Sequence, residues 1–341
     1  MRKFNTILIT GGCGFIGSNF IRYLFKDTSF KGNIINIDLL TYAGDKSNLS
    51  DIEENYAHRY VFIKADIQDE KIISSIFNIY NPDCIIHFAA ESHVDRSIKE
   101  PFKFIMTNVY GTQVLLDVAK NYWKDRKDVL FHHISTDEVF GILEKDCKDT
   151  FTEESLYNPR SPYSASKASS DHFVMAYYNT YGLPITMSNC SNNYGPYQYP
   201  EKLIPMCISK IINNEKIPIH GRGEAIRDWL FVKDHCKAIW KIVCEGNIGE
   251  KYNIGGETEK QNIEIVNMIV KYIFMYQGKN YRINELIDFV EDRPGQDQRY
   301  GIDCTKIKDT LGWKPETNLY VGLQYTIEWY FNHKEWLKNK R

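Results

Sequence analysis

Tyr163-Ser164-Ala165-Ser166-Lys167 places a phenol and an amine at i, i+4 spacing, on one face if the segment is helical. A tyrosine at its ordinary pKa of about 10 is a poor base at neutral pH. An ammonium one turn away favours the phenolate, and a cationic ring alongside would favour it further, so the pair can take a proton from a hydroxyl. Taken alone, Y-x-x-x-K also arises by chance as an exposed helix pair. Upstream, Ser135-Thr136-Asp137-Glu138 closes an apolar run that reads as a buried strand. Thr136 can hydrogen-bond a reacting hydroxyl. Two acids are costly to bury there without a task, a surface acidic turn being the plain alternative. With separated pKa values, one carboxyl protonates a leaving hydroxyl while the other takes a neighbouring C–H proton. Loss of water requires that division of labour.

A second group of residues suits a dinucleotide. Gly11-Gly12-Cys13-Gly14-Phe15-Ile16-Gly17 follows the apolar run Ile7–Thr10 and opens a helical pattern, with glycines at 11, 14 and 17. A pyrophosphate must approach the backbone closely to meet the free N–H groups of a helix start, and only glycine leaves that room. A tight turn would look the same in isolation. Asp38, however, ends the next strand 21 residues after Gly17, close to the separation expected for a ribose-binding acid. A carboxylate there accepts from ribose hydroxyls and repels a 2′-phosphate, which favours NAD over NADP. Asp66 ends the third strand, where it either reaches the adenine amino group or caps the following helix.

The elements that must hold these residues alternate. Ile7–Thr10, Ile34–Asp38, Val61–Ala65, Cys84–Ala90, Val129–Ser135 and Ile185–Cys190 read as buried strands. Between them, Ile16–Phe25, Ile72–Tyr80, Phe102–Tyr122 and Tyr163–Tyr181 have helical spacing. The alternation predicts an α/β fold, a Rossmann-type doubly wound parallel sheet with helices on both faces. Beyond about residue 190 the texture changes to loop chemistry at Asn192–Tyr197, a turn at Gly221–Glu224, and helices at Ile204–Asn213, Val232–Cys244, Ile263–Tyr276 and Leu319–Phe331. This predicts an NAD-binding domain over 1–190, with return segments near 229–254, and a smaller C-terminal α/β substrate lobe over 191–341.

Composition excludes several classes. At 341 residues, 25% charged and net charge -2, the chain matches neither a disordered nor a fibrous protein and lacks the basic footprint of a nucleic-acid binder. No apolar run reaches the roughly 20 residues that span a bilayer, and the short apolar run after Met1-Arg2-Lys3 reads as a strand rather than a signal peptide. Eight cysteines without a C-x-x-C pair argue against zinc and against a disulfide framework, and for a reducing compartment. His132 and His133 are adjacent on a strand and point to opposite faces, so they cannot chelate together; no metal is expected.

These motifs together resemble the nucleotide-sugar 4,6-dehydratases of the extended short-chain dehydrogenase/reductase group, from Ile7 to about Tyr330. The resemblance rests on Thr10-Gly11-Gly12 through Ser18, Leu40–Gly44, Ala89–Ser97, Ser135–Gly141, Ser161–Ala168, Asn189–Tyr197, Arg227–Leu230 and Arg293-Pro294-Gly295. It implies that Tyr163 deprotonates the 4-hydroxyl of dTDP-glucose or UDP-glucose while tightly bound NAD takes the C4 hydride. Glu138 then removes the C5 proton, Asp137 protonates the departing 6-hydroxyl, and hydride returns to C6 while a proton is delivered to C5, regenerating NAD. Thr136, Asp137, Glu138, Tyr163 and Lys167 form the catalytic set. Gly11, Gly14, Phe15, Ile16, Gly17, Asp38, Thr41, Asp66, Ile67, Ala89, Ala90, Thr107 and Asn193, with Tyr163 and Lys167, would hold NAD. Ser92, Thr136, Asn192, Lys202, Leu203, Arg227, Asn262, Arg293 and Gln296 would meet the nucleotide sugar.

Within the same group, 4-epimerases carry small residues where this chain has Asp137-Glu138, and decarboxylases keep the Glu but replace the Asp with Ser, so Asp137 marks a dehydratase. A catalytically silent nucleotide-sugar or NAD binder would not need the complete set. Gln296 stands where the family usually has His, which leaves the choice between deoxythymidine and uridine open; a single methyl is worth only about 1–3 kcal/mol of discrimination. The resemblance further implies deoxysugar biosynthesis of the rhamnose kind, a cytoplasmic location, and a homodimer joined by helices near Phe102–Tyr122 and Tyr163–Tyr181. On those helices Tyr110, Val114, Val118, Phe173 and Tyr177 suit either a dimer seam or a core.

Overall fold

The strands are β1 (Thr6–Thr10), β2 (Asn33–Asp38), β3 (Tyr60–Lys64), β4 (Cys84–His87), β5 (Leu130–Thr136), β6 (Ile185–Cys190), β7 (Asn192–Tyr194), β8 (Ile217–His220), β9 (Ile226–Phe231), β10 (Lys251–Ile254), β11 (Glu259–Gln261) and β12 (Ile287–Val290), with β-branched runs supplying β1 and β2 of the large sheet. The computed structural model describes residues 1–278, 280–292 and 297–340. Seven strands pair in parallel in the order β10-β6-β5-β4-β1-β2-β3. Helices cover both faces, so the central strands read as continuous apolar runs rather than alternating ones. Successive residues nonetheless feed different cores: Ile7, Ile9, Ile34 and Ile86 join one cluster, Leu8, Ile35, Ile37 and Ile85 the other. The strand order reverses between β1 and β4, and that reversal opens a crevice beyond the carboxyl ends of the strands.

Where the spacing predicts one helix over 102–122, the chain forms three pieces: Pro101–Phe104, a π-helical stretch Ile105–Tyr110, and Gly111–Trp123. The π stretch turns Asn108 inward, where its amide bonds the backbone of Glu91 in both directions and donates to Ser166 Oγ at 2.8 Å. Such a wide turn costs regular hydrogen bonding and is frequent at functional sites. The helix Pro162–Tyr181 begins where sequence rules place it, with Ser161 and Ser164 in a capping box and Pro162 in the first turn. Val114, Val118 and Tyr177 are buried in the core, whereas Tyr110 and Phe173 are exposed, as are Phe102, Ile105 and Tyr181.

The second part packs helices Leu203–Ile212, Asn262–Tyr276 and Leu319–Asn332 against the short sheets β11-β9-β7 and β12-β8, around a core of its own. The helix Val232–Glu245 and strand β10 pack in the core of the first part. Ile302, Cys304, Ile307 and Trp313 join that core too, a second return that the sequence pattern did not announce.

Candidate active site

The crevice is a cleft of about 520 Å³ at the carboxyl ends of the strands of the large sheet. On one side, Gly11 has φ +71°, and a Cβ there would lie 2.6 Å from the Ala89 backbone nitrogen; a Cβ on Gly17 would collide with the Gly11 carbonyl oxygen. Helix Phe15–Asp27 starts at Gly14 with no capping side chain and no acid in its first turn, so its N–H groups are free to meet an anion. Asp38 accepts from Cys13 N at 2.9 Å and Leu40 N at 2.8 Å, which fixes the carboxylate at the cleft wall. Burial raises its pKa, and these two bonds oppose the shift. Asp66 does not cap the next helix: Asp69 does, accepting from Lys71 N and Ile72 N, while Asp66 bonds Gln68 N at 2.9 Å beside the cleft. An uncapped helix start, glycine clearance and an acid at the end of β2 suit an anionic ligand with ribose hydroxyls.

β5 delivers the other group. Thr136 ends the strand, donates to Asp137 Oδ1 and accepts from Glu138 N, both at 3.3 Å. Asp137 is 2% exposed. Burial, then the carboxylates of Glu138 and Asp228, push its pKa well above the ordinary range. Tyr163 and Lys167 both line the cleft and are 8% and 5% exposed, which removes the reading as an exposed helix pair.

Lys167 Nζ donates to the Ile134 carbonyl at 2.8 Å, and burial, then the nearby Glu138, hold the Tyr163 pKa well above its ordinary value. The Thr136 hydroxyl works in the opposite direction. The adjacent histidines serve different faces, His132 bonding Thr186 at 2.8 Å and His133 lying against Lys167 and Asp171.

The sequence model of the GDP-mannose 4,6 dehydratase family matches residues 8–326. The chain belongs to this family. It is 49% identical to dTDP-glucose 4,6-dehydratase 1 of Escherichia coli K12, over 98% of this chain and 94% of that one. The crystal structure of dTDP-glucose 4,6-dehydratase from Bacillus anthracis in complex with NAD is similar with a TM-score of 0.87 and 42% identity, covering 99% of this chain and 100% of that one. The Streptomyces venezuelae dTDP-glucose 4,6-dehydratase DesIV, with NAD and TYD bound, gives a TM-score of 0.90 at 38% identity over 98% and 100%.

In this member of the dehydratase family the cleft brings together most of the expected positions. Phe15, Ile16, Thr41, Ile67, Ala89, Ala90, Thr107 and Asn193 line it beside the glycines, as do Ser92, Asn192 and Lys202. Leu203, Arg227 and Asn262 do not. Leu203 and Asn262 are the first residues of their helices. Arg227 is turned onto its own lobe, donating to the Ile226 and Asp297 carbonyls at 2.7 and 2.9 Å with its guanidinium 4.3 Å over the Tyr300 ring. Its charge still reaches Asp137, whose pKa it pulls down. Arg293 and Gln296 lie outside the described residues.

The family's cleft also holds residues that spacing did not single out. Glu91 pairs with Lys103 at 2.9 Å inside it. At its mouth, Tyr42 lies under the Arg96 guanidinium at 3.7 Å and edge-on to Tyr199, and Arg96 reaches Glu201 at 3.3 Å. Tyr42, Glu91 and Arg96 fall within the quoted motifs, but Tyr199 and Glu201 lie on a loop whose sequence carries no spacing signal.

Proposed function

We propose that this chain is a dTDP-glucose 4,6-dehydratase, converting dTDP-glucose to the 4-keto-6-deoxy sugar nucleotide and water. The reading is carried by one observation: an acid, Asp137, buried next to Glu138 in the same cleft as Tyr163. Oxidation and rebound, as in a 4-epimerase, has no use for such an acid; loss of water does.

Gly11, Gly14, Gly17 and Asp38 would hold NAD, which when bound would supply a cationic ring that favours the Tyr163 phenolate and a hydride acceptor restored within each turnover. Tyr163 Oη takes the proton of the sugar 4-hydroxyl, with Thr136 Oγ1 holding that oxygen in place. The resulting 4-ketone acidifies C5, and the Glu138 carboxylate removes the C5 proton. Asp137 gives its proton to the 6-hydroxyl, which departs as water, and the product is completed when the hydride first taken from C4 is returned to C6 and a proton to C5. Ser92, Asn192 and Lys202 orient the sugar and diphosphate from the cleft wall. Arg227 and Arg293 offer guanidinium forks to phosphate oxygens, and Leu203, Asn262 and Gln296 complete the nucleotide end.

The product is the kind of intermediate that deoxysugar biosynthesis of the rhamnose type consumes. The eight unpaired cysteines, seven of them buried, support a reducing cytoplasm, and no helix among the described residues is long and apolar enough to cross a membrane. Exposed Phe102, Ile105, Tyr110, Phe173 and Tyr181 support a homodimer through the helical segments Pro101–Phe104, Ile105–Tyr110 and Pro162–Tyr181. Light scattering that returns the monomer mass would remove that assembly.

The test of function is mass. Purified protein incubated with dTDP-glucose, without added NADH, is expected to convert it to a product lighter by one water, faster than it converts UDP-glucose. Unchanged mass with an inverted C4 hydroxyl would make the protein an epimerase, and a faster reaction on UDP-glucose would reverse the nucleotide assignment.

A further inference from the structure

Below the cleft floor lies a set of buried groups that the reaction itself does not touch. Helix Pro162–Tyr181 carries Tyr163, Lys167 and Asp171 at successive four-residue steps, so all three share a face. Tyr163 and Lys167 line the cleft; Asp171 sits one turn deeper and is fully buried. Its carboxylate accepts from Ser135 Oγ at 2.7 Å and from the Tyr157 hydroxyl at 2.9 Å, and His133 Nε2 is 3.2 Å from the other oxygen. His133 and Ser135 alternate on β5 toward the helix, and the carbonyl between them, that of Ile134, receives Lys167. Three consecutive residues of β5, immediately before Thr136, therefore dock Asp171 and Lys167 together.

We infer that Asp171 is a positioning residue for the reaction: its buried carboxylate keeps Lys167 an ammonium, seated on β5 at the cleft wall beside Tyr163.

The physical argument is one of isolated charge. A lone ammonium taken out of water favours its neutral form. The groups facing Lys167 are His133 on β5, His87 on β4, Cys190 on β6, and Tyr163 and Asp171 on its own helix. His87 is neutral, with both ring nitrogens occupied by Thr10 and Thr112, and burial holds His133 down to about 4, so neither competes as a cation. Burial keeps the Cys190 thiol protonated, pushed up to about 12. Asp171 is thus the anion of the set. Burial alone would raise its pKa, but His133, Lys167 and Ser135 hold it below the usual carboxylate range. In return its field opposes the lowering that burial imposes on Lys167.

The inference rests on the dehydratase reading for its kinetic arm alone. Asp171→Asn keeps the shape and removes the charge. It is expected to lower kcat at pH 8 at least tenfold while KM changes less than twofold, and to bring the alkaline limb of kcat down by about one pH unit, the size of a single lost opposite charge. In a Lys167→Met background the same change should cost nothing further, because Asp171 acts through Lys167. A loss of equal size at every pH, repeated in the Lys167→Met background, would reduce Asp171 to a packing residue and overturn the proposal. A second measurement needs no Asp171 variant and no turnover. In the wild-type protein with 13Cε-labelled lysine, the signal that Lys167→Met removes should show an ammonium at pH 8; a neutral amine there overturns the inference whatever the enzyme's substrate.

Discussion

At the end of the cleft where β1, β2 and β5 finish, the groups proposed for cofactor and chemistry are already fixed by one another. Asp38 is held by two backbone N–H groups, Thr136 links Asp137 and Glu138, and Lys167 is bonded to the strand beneath it. In the smaller part, outside the cleft lining, Arg227 and Asn262 lie on a short strand and a helix start, and Arg227 is satisfied by its own neighbours Ile226, Asp297 and Tyr300. The difference follows from what each end must do. Proton transfer demands groups placed to fractions of an ångström, which a continuous parallel sheet can supply. The groups proposed for the nucleotide come from positions as far apart as 92 and 262, and binding tolerates looser placement.

Breaking the first end should cost the most. Asp137→Asn removes the proton donor but keeps the side chain's shape, so bound NAD should stay while dehydration slows by about 10²–10⁴-fold, the usual worth of a positioned acid. Rapid quench with product mass reads the step directly, and water loss at the wild-type rate would exclude Asp137 as the acid.

Next in size is the glycine floor. Gly17→Ala drives a methyl into the Gly11 carbonyl, a backbone atom that cannot swing away, and the neighbouring turn must shift at a cost of about 1–3 kcal/mol. The purified variant should retain little NAD, measured by absorbance of the cofactor released on denaturation. Full occupancy would show that the turn has slack and that close approach is not what holds the cofactor.

The contrast between the two ends also explains what the sequence could reveal. Glycine spacing, Asp38 and the strand–helix alternation are local, because a dinucleotide is bound by one β-turn-α unit and the next strand end. Tyr163 and Lys167 were legible for the same reason, being neighbours on one helix. What escaped is set by tertiary packing. Asp171 faces β5, whose His133 lies nearly forty positions earlier, so its partners have no common spacing. The π-helical turn at Ile105–Tyr110 looks helical in any periodicity, yet it carries Asn108 to Glu91 and Ser166. Lys167 also bonds the Ile134 carbonyl, a backbone group with no sequence signature.

Arg227 sharpens the comparison from the other side. Arg227→Met removes the fork but none of the proton-carrying groups, so KM for the sugar nucleotide should rise about tenfold, equivalent to about 1.4 kcal/mol, with kcat within twofold. A fall in kcat as large as that of Asp137→Asn would mean that Arg227 belongs with the chemistry through its field at Asp137 rather than with recognition.

The smallest expected effect lies behind the glycine turn. Arg22 and Lys26, on the helix that starts at Gly14, hold Asp51 at 2.8 and 2.6 Å, and Arg22 also lies 4.5 Å over the Tyr197 ring from the loop after β7. Although burial opposes it, bonding to Arg22 and Lys26 lowers the Asp51 pKa from 3.8 to about 2. A lowered carboxylate stabilises the fold above its unfolded pKa and loses that contribution as pH falls toward its folded one, so the window here runs from about 4 down to about 2. Because the Asp51 side chain is about one-third exposed, water screens the pair, and Asp51→Asn should cost only about 0.5–1 kcal/mol at pH 7. The melting temperatures of variant and parent should differ by about 2 °C at pH 7 and converge as the pH drops below 4. A gap that stays constant across that range would assign the loss to packing of the helix, and the cofactor end would then owe its rigidity to the sheet alone.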